Sequence, residues 1–443
     1  MSSSSPRDEV VSLLRLALPI TAVQVGMMAM GVVDNLMVGR VSPEALAAAN
    51  LGHAYSSAVS FALGGLLYAL DPLVSQAFGA GDRTRLARHV ERGLALALVI
   101  SVPVMVLHAL SGPVFRALEQ DPRIIPGAVS YVERLGFSAP AFLLFTALRQ
   151  SFQATDRTRE IVVAIVLGNL LNVVANYGLV FGNFGLPALG VAGSAIATTI
   201  CRWGMLLVIL FAGRDHLAAL RPPHPRPRLG PRPFAELLRL GGPITLQVSL
   251  ELWVFVAVAL LMGRQGATAL AAHGVAINLA SLSFMVPLGL GMAAAARVGQ
   301  AIGAGDPGLA RRRAAVALGV GAVVQLVFSA IFLVLPETLA RAYTDEIATV
   351  AAAAALISIA GVFQLCDGLQ AISAGILRGA ADTRIPALLA LFGYWLVGLP
   401  LGLVLAHRGS EVWLGGYWWG LCGGLATVAL LLMRRIRRRL GRA

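Results

Sequence analysis

The sequence repeats itself at a constant offset of 224 residues. Three pairs of segments match in step: 37–40 with 261–264, 45–48 with 269–272, and 74–82 with 298–306. Because the register is kept without a gap, the chain contains two copies of one folding unit. Any fold proposed for it has to be built from two similar halves.

Both copies are strongly apolar. Of the 443 residues, 57% are hydrophobic and 13% are charged, and the mean hydropathy is +0.78. Soluble proteins carry about 25% charged residues. Apolar stretches of about 20 residues predict twelve membrane spans, near 11–38, 47–76, 88–110, 126–152, 160–181, 188–211, 235–262, 270–302, 314–335, 348–376, 385–406 and 411–433. A duplicated, hydrophobic chain of this kind is typical of secondary transporters.

The predicted fold is an all-α membrane protein with twelve transmembrane helices in two six-helix bundles. Each half holds an even number of spans, so the second half enters the membrane from the same side as the first. The two bundles are therefore expected to be related by a pseudo-twofold axis along the membrane normal. We expect bundles at 1–212 and 234–443, joined by a cytoplasmic linker at 213–233 that is rich in proline and arginine.

The basic residues predict the orientation in the membrane. All 35 residues counted as lysine or arginine are arginine. Most are expected in loops on the side that carries both termini, so the positive-inside rule places the termini in the cytoplasm and the spans in a bacterial inner membrane. The net charge of +13 then needs no nucleic-acid partner, and the basic tail at 434–442 is expected to meet anionic lipid.

The chain lacks the residues that several functional classes of protein need. Without lysine the chain has no P-loop and no Schiff base, and no His-x-x-x-His or similar cluster indicates a membrane enzyme. Its three cysteines, Cys201, Cys366 and Cys422, are expected to pack in the core rather than to form disulfides. Neither enzymatic activity nor a cofactor is expected. The two Gly-Ala-Gly-Asp motifs, at 79–82 and 303–306, are interpreted as helix caps.

Four acidic residues fall inside predicted spans: Asp34, Asp71, Glu251 and Asp367. They are not duplicated at the offset of 224 residues, although the packing residues around them are. Charge inside a membrane is costly and therefore indicates function. Such a carboxylate can hold a proton, because burial disfavours its charged form, or it can bind Na⁺ or a cationic substrate. Asp71 precedes Pro72, so it could instead accept hydrogen bonds from backbone that the proline frees.

Uncharged polar and aromatic residues form a second set of candidates. Asn169, Asn172 and Asn176 share one helix face, where they could line a wet cavity or bond neighbouring helices. Asn278 has the same two interpretations. Trp253 and Phe284 lie close in sequence to Glu251 and Asn278, and aromatic rings beside anions suit organic cations, although aromatic residues in membranes commonly only pack.

Five segments carry a family resemblance: 33–39, 69–81, 183–193, 271–278 and 363–370. In this order they resemble the multidrug and toxic compound extrusion (MATE) family, and its NorM branch in particular. The resemblance covers nearly the whole chain and implies efflux of amphipathic organic cations, driven by inward Na⁺ or H⁺. It also implies that Glu251, Asp367 and Asp34 couple the cation to transport, with Glu251 and Asp367 as ligands if the cation is Na⁺.

The sequence therefore predicts a multidrug efflux antiporter that works by alternating access, in the lipid bilayer and as a monomer. Its expected partners are small organic cations. The alternative is a flippase of the same fold superfamily that moves a lipid-linked precursor. A flippase would need arginines inside its cavity to meet phosphate, whereas the arginines here are expected in loops and the acids in spans.

Overall fold

A computed structural model describes residues 5–219, 231–408 and 412–441. Over these residues the chain is helical and contains no strand. The prediction of an all-α membrane protein is confirmed. The predicted linker at 213–233 contains a short helix near its start, and the next long helix already begins inside it, at Pro231. Residues 220–230 lie outside the described part of the chain.

Ten helices of the described residues lie before residue 220: α1 Pro6–Gly39, α2 Pro43–Gly64, α3 Leu70–Gly79, α4 Arg83–Ala109, α5 Ser111–Ala117, α6 Ile125–Gly136, α7 Ala139–Ala154, α8 Arg159–Phe181, α9 Val191–Ala212 and α10 Arg214–Ala219. Eight follow it: α11 Pro231–Gly263, α12 Ala267–Gly303, α13 Pro307–Val334, α14 Pro336–Arg341, α15 Ile347–Gly379, α16 Arg384–Ala390, α17 Leu399–Ala406 and α18 Leu414–Gly441. A 3₁₀ segment joins α2 to α3, and the π-helix Leu391–Gly398 joins α16 to α17.

Eleven helices or joined helices of the described residues are long and apolar enough to cross a membrane. The one remaining predicted span, the fourth in the sequence, lies near 126–152 and is divided into α6 and α7. The break falls at Phe137 and Ser138, between Gly136 and the proline in the first turn of α7. Glycine after one helix and proline at the start of the next favour such an interruption, so this predicted span is two shorter helices.

The chain forms two compact units whose boundaries lie inside helices. One unit consists of residues 1–21 and 246–443, and the other of residues 22–245. The first sixteen residues of α1 therefore pack with the second half of the sequence, and the first part of α11 packs with the first half. The sequence had placed the boundaries in the linker, at 212 and 234, because hydropathy does not show which neighbours a helix contacts.

The exchanged segments repeat the same contact in both units. A Cβ on Gly65 would lie 2.6 Å from Thr245 Oγ1, and a Cβ on Gly289 would lie closer than 3.0 Å to Thr21 Oγ1. The two glycines are 224 residues apart, and so are the two threonines. Only a residue without a side chain permits this approach of helix to helix. The duplicated sequence thus produces a duplicated helix crossing.

The Gly-Ala-Gly-Asp motifs are caps, as the sequence predicted. Gly81 and Gly305 have φ of 69° and 73°, a conformation that favours glycine. The next residue in each case caps a helix: Asp82 Oδ1 accepts a 2.8 Å hydrogen bond from the backbone of Arg85 at the start of α4. Asp306 does the same at the start of α13. The motifs end one helix and begin the next without a phosphate site.

Each unit has its own apolar core. In the unit that contains most of the second half, α12, α15 and α18 enclose the buried rings of Phe363, Tyr394, Tyr417 and Trp418. In the other unit the buried apolar residues form three smaller clusters. Buried polar side chains interrupt both cores at particular places, and these places hold the candidate sites.

Candidate cation-binding sites

Asp34 is the centre of a hydrogen-bonded cluster in the unit of residues 22–245. Its side chain lies on α1 and the residue is 6% exposed. Asp34 Oδ1 accepts hydrogen bonds from Asn172 Nδ2 at 3.0 Å and from Asn176 Nδ2 at 2.8 Å, both on α8. Asp34 Oδ2 accepts one from Thr198 Oγ1 on α9 at 2.8 Å. Three neutral donors thus surround one carboxylate.

The three asparagines of α8 do not all contribute to this cluster. Asn172 and Asn176 are fully buried, and their Oδ1 atoms have no hydrogen-bond partner among the described residues. Asn169 instead donates to the backbone carbonyls of Gly26 and Ile165. The predicted helix face therefore divides into a helix-packing contact at Asn169 and two amides at the acid. Buried oxygen atoms beside a carboxylate are ligands that a hard cation accepts.

Asp71 is buried but does not donate to or accept from the Asp34 side chain, whose three donors come from α8 and α9. It lies in the first turn of α3, directly after the 3₁₀ segment. Its backbone carbonyl accepts a 2.6 Å hydrogen bond from Ser75 Oγ. The backbone of Asp71 therefore takes part in the first turn of α3, next to Pro72.

Glu251 and Asp367 come together in the other unit. Gln370 Nε2 donates a 3.4 Å hydrogen bond to Glu251 Oε2, which joins α11 to α15. Asp367 lies one turn before Gln370 on α15 and is 4% exposed. The charges of Glu251 and Asp367 are near enough to interact. The sequence predicted this pair from two spans that are more than a hundred residues apart, and the structure brings the two carboxylates together.

Two further oxygen atoms belong to the neighbourhood of this pair. Gln370 Oε1 and the hydroxyl of Tyr394 are buried and have no hydrogen-bond partner among the described residues. Tyr394, on the π-helix between α16 and α17, interacts electrostatically with both Glu251 and Asp367. Two carboxylates, an amide oxygen and a hydroxyl form a set of oxygen ligands that fits a hard monovalent cation. No group of three or more His, Cys, Asp or Glu suited to a metal occurs in the described residues, so uncharged ligands have to complete the site.

The remaining candidates lie away from these carboxylates. Asn278 Nδ2 donates to Gly274 O, four residues earlier on its own helix, and the side chain is exposed. Trp253 is 52% exposed, and two residues along a helix place it on a different face from Glu251. Phe284 is partly buried. Among the described residues, no hydrogen bond joins Asn278 or Trp253 to Glu251 or Asp367, and the role of Asn278, Trp253 and Phe284 as substrate contacts stays a prediction.

Three other acidic side chains that are largely shielded from solvent have cationic partners. Glu160 pairs with Arg157, Glu9 with Arg297, and Asp382 with Arg435. Among the described residues, none forms an ion pair with Asp34, Glu251 or Asp367. The role of these three carboxylates in cation coupling stays a prediction.

One expectation about the arginines was wrong. The sequence analysis placed arginines in loops, but Arg202 lies in the middle of α9. Arg202 Nη1 donates a 2.9 Å hydrogen bond to Ser138 Oγ at the break between α6 and α7. Its Cζ atom lies 4.6 Å from the centre of the Phe142 ring, a favourable cation–π distance. Hydrogen bonding and the aromatic ring allow this charge to lie within a membrane span.

The sequence analysis also missed the uncharged partners of the acids. Thr198, Gln370 and Tyr394 each lie inside a predicted span, where single polar residues are common and most only bond a neighbouring helix. Gln370 had a weak signal, since it follows Asp367 by three residues and shares its helix face. Thr198 and Tyr394 had none, because their neighbours come from distant parts of the chain.

Long apolar helices with acidic side chains inside them are typical of integral membrane transporters. A family model described as MatE matches residues 19–178 and 243–404. The chain therefore belongs to the MatE family, whose members are transporters and not enzymes.

Relatives and solved structures agree with this assignment. Multidrug resistance protein NorM of Burkholderia vietnamiensis is 38% identical over 438 residues, which cover 96% of this chain and 93% of the relative. Probable multidrug resistance protein NorM of Mesorhizobium japonicum is 36% identical over 98% of this chain and 94% of the relative. The crystal structure of the eukaryotic MATE transporter AtDTX14 has a TM-score of 0.87 at 24% identity, covering 99% and 98% of the two chains. This last similarity concerns the fold alone.

Proposed function

We propose that the chain is a multidrug efflux antiporter, which exports amphipathic organic cations in exchange for Na⁺. The observation that carries the proposal is the pair of acids in one unit, a buried Asp367 and a partly buried Glu251, neither of which has an ion-pair partner among the described residues. Two like charges in a medium of low dielectric constant repel each other strongly. Binding of a cation from outside relieves this repulsion, so the pair takes up a coupling ion readily.

Antiport follows when the cation and the drug stabilise different states. A ligand shifts a conformational equilibrium only by the difference in its affinity for the two states. Na⁺ at Glu251 and Asp367 would neutralise the charge that attracts a cationic drug, and so favour drug release to the outside. Loss of Na⁺ to the cytoplasm restores the negative charge and the affinity for a second drug molecule.

The relatives support the class of substrate. The two NorM proteins compared above are described as a multidrug resistance protein and a probable one. We propose the same activity here, in a bacterial inner membrane, with both termini in the cytoplasm, and performed by a monomer without a cofactor. Partners would be the organic cations and the lipid around the helices.

The coupling ion is the open part of the proposal. A proton needs only one buried acid, whereas Na⁺ needs several oxygen ligands. The carboxylates of Glu251 and Asp367, Gln370 Oε1 and the Tyr394 hydroxyl supply such a set in one unit, which favours Na⁺. A lipid-linked precursor, the alternative substrate, carries phosphate, and the unpaired carboxylates would repel it.

The experiment is drug efflux from sealed vesicles that contain the purified protein. At fixed pH, with the proton gradient collapsed, an imposed Na⁺ gradient is expected to drive efflux of a fluorescent organic cation. Efflux that ignores Na⁺ and returns with a proton gradient contradicts Na⁺ coupling but keeps antiport. Efflux that responds to neither gradient contradicts the proposed function itself.

A further inference from the structure

Arg202 is a charged residue inside a membrane span that the proposed exchange of drug and ion does not use. It lies about 15 Å from either end of α9, at 1.5 Å per residue. Arginine retains its charge in proteins, and a charge at this depth in a membrane is costly unless it has a function. The Ser138 hydroxyl and the Phe142 ring offset part of this cost, but neither carries a negative charge.

Asp34 is a buried acid of the same unit. Thr198, which donates to Asp34 Oδ2, lies four residues before Arg202 on α9. Residues four apart on a helix lie on the same face, about 6 Å apart. Arg202 therefore lies one helical turn beyond the Asp34 cluster and interacts with Asp34 electrostatically, although the two side chains form no ion pair.

The geometry holds the two charges apart. Arg202 bonds to Ser138, and the neighbouring Trp203 Nε1 donates a 3.1 Å hydrogen bond to Phe137 O. Both contacts are made at the break between α6 and α7, which holds this part of α9 in place. The carboxylate of Asp34 keeps its three neutral donors, and the guanidinium lies one helical turn away from the donor Thr198.

Other titratable groups face this region as well. His53 on α2 interacts with Asp34, while Tyr131 on α6 and Cys201 on α9 interact with Arg202. When those groups are neutral, Asp34 and Arg202 together carry no net charge. A monovalent cation that bound at Asp34 would add one positive charge to a buried region that is already balanced.

The second candidate site has the opposite balance. Glu251 and Asp367 contribute two negative charges when both are ionised, and within the described ranges Arg378, in the last turn of α15, is the arginine that interacts with Glu251. The net charge there is about one negative, which a single monovalent cation neutralises. The two units thus differ in charge although their helices are built on one repeat.

We propose that Arg202 is the fixed counter-ion of Asp34, and that its charge directs Na⁺ away from the Asp34 cluster to Glu251 and Asp367. The inference rests on the proposed function in so far as Na⁺ is the coupling ion. Arg202 acts here as a residue that determines cation specificity, through Asp34 and without touching the ion.

The test measures binding of ²²Na⁺ to the purified protein in detergent at fixed pH. The unaltered protein is expected to bind Na⁺, and the double variant Glu251→Gln/Asp367→Asn is expected to lose that binding. Adding Arg202→Gln to the double variant should restore Na⁺ binding, with a gain in affinity of about tenfold or more, which is the effect of one nearby charge on a carboxylate. Adding Asp34→Asn as well should remove the restored binding.

Two controls separate charge from structure. Arg202→Lys in the double-variant background keeps the positive charge and should leave Na⁺ unbound. Ser138→Ala in the same background removes a contact of Arg202 but not its charge, and should also leave Na⁺ unbound. A purely structural role of Arg202 would give Lys and Gln variants that differ in stability but not in Na⁺ binding.

Three results overturn the inference. The first is Na⁺ binding by the double variant that equals binding by the unaltered protein. This result does not depend on whether any Arg202 variant folds. The second is a folded Arg202→Gln triple variant that binds no Na⁺. The third is an unaltered protein without Na⁺ binding. Because binding is measured without transport, proton-driven efflux in the vesicle experiment would leave the proposed antiport standing while this inference fails.

Discussion

Arg297 and Glu9 form a buried ion pair between residues that are 288 positions apart in the sequence. Arg297 Nη1 also donates a 3.0 Å hydrogen bond to the backbone carbonyl of Glu9. Arg313 adds to the cluster, with its Nε 3.5 Å from Glu9 Oε2 and its Nη1 2.6 Å from Arg297 O. The first turn of α1 is thus fixed to α12 and α13, within the unit that contains most of the second half.

We expect Glu9→Gln to destabilise this unit. The substitution removes the carboxylate and leaves two guanidinium groups buried without their anion, which costs about 3–5 kcal/mol for a buried pair. The measurement is the unfolding temperature of the purified protein in detergent, which should fall by several degrees.

An exposed pair offers the matched control. Arg123 and Asp121 form a salt bridge whose side chains are 82% and 40% exposed, and exposed pairs contribute little to stability. Arg123→Gln should leave the unfolding temperature unchanged. Equal effects of Glu9→Gln and Arg123→Gln would mean that the buried pair does not anchor α1.

We expect Asn172→Ala and Asn169→Ala to differ in transport. Asn172 donates to the charged Asp34, whereas Asn169 donates only to backbone carbonyls. A hydrogen bond to a charged group contributes about 1.5–3 kcal/mol, and about 1.4 kcal/mol corresponds to tenfold. Cation-driven efflux should therefore fall about tenfold or more in Asn172→Ala and change little in Asn169→Ala.

The two variants are compared in the same vesicles at equal protein density. If Asn169→Ala loses as much efflux as Asn172→Ala, the loss reflects helix packing on α8 in general, and the Asp34 cluster is not a part of the coupling machinery.

Hydropathy predicted the helices well because lipid requires long apolar runs whatever the packing. The exception is the span near 126–152, where Gly136 and Pro140 interrupt the helix at Phe137 and Ser138. Those two residue types carried the signal, but the apolar run around them hid it. The exchange of helix segments at Thr21 and Thr245 had no such signal, because a helix is equally apolar whichever unit it packs against.

The acidic residues of the candidate sites could be predicted from the sequence for an energetic reason. Their uncharged hydrogen-bond partners could not be predicted. An acid inside a membrane is rare because it is costly, so Asp34, Glu251 and Asp367 were noticeable one at a time. Thr198 and Tyr394 cost little in a helix, and they acquire a role only when folding places them beside an acid more than a hundred residues away. Such convergence depends on helix packing and cannot be read from composition.

The fold should lose stability as the pH falls, through His216. Burial, and then the charge of Arg157, lower the pKa of His216 below its usual 6.5. Its Nε2 lies 3.0 Å from Thr155 Oγ1, and its ring packs edge-on against Phe152. Above pH 6.5 the histidine is neutral in both states; below it, the unfolded chain takes up the proton more readily, so the free energy of unfolding falls.

The check is the unfolding temperature measured from pH 7.5 down to pH 5. We expect His216→Gln to flatten this pH dependence relative to the unaltered protein, and His407→Gln, at an exposed histidine, to keep it. A His216→Gln profile parallel to that of the unaltered protein would contradict the prediction.

Both termini should lie in the cytoplasm. The last turns of α18 are rich in arginine, and arginine near a span end favours the cytoplasmic side. Alkaline phosphatase fused after Ala443 should be inactive, since it folds only outside the cytoplasm, while the same enzyme inserted after Arg264 should be active. The reverse pair of activities would invert the orientation and the direction of export.

Neutralising either Glu251 or Asp367 should abolish transport without unfolding the protein. Glu251→Gln and Asp367→Asn keep the shape and most of the hydrogen bonding but remove the charge, and removing one of two buried like charges relieves repulsion rather than leaving a charge unpaired. We therefore expect normal membrane insertion, an unfolding temperature equal to or above that of the unaltered protein, and at least a tenfold loss of cation-driven efflux. Asp345→Asn, at an exposed acid of the same half, serves as the control and should transport normally. Near-normal efflux by both single variants would remove Glu251 and Asp367 from the coupling site.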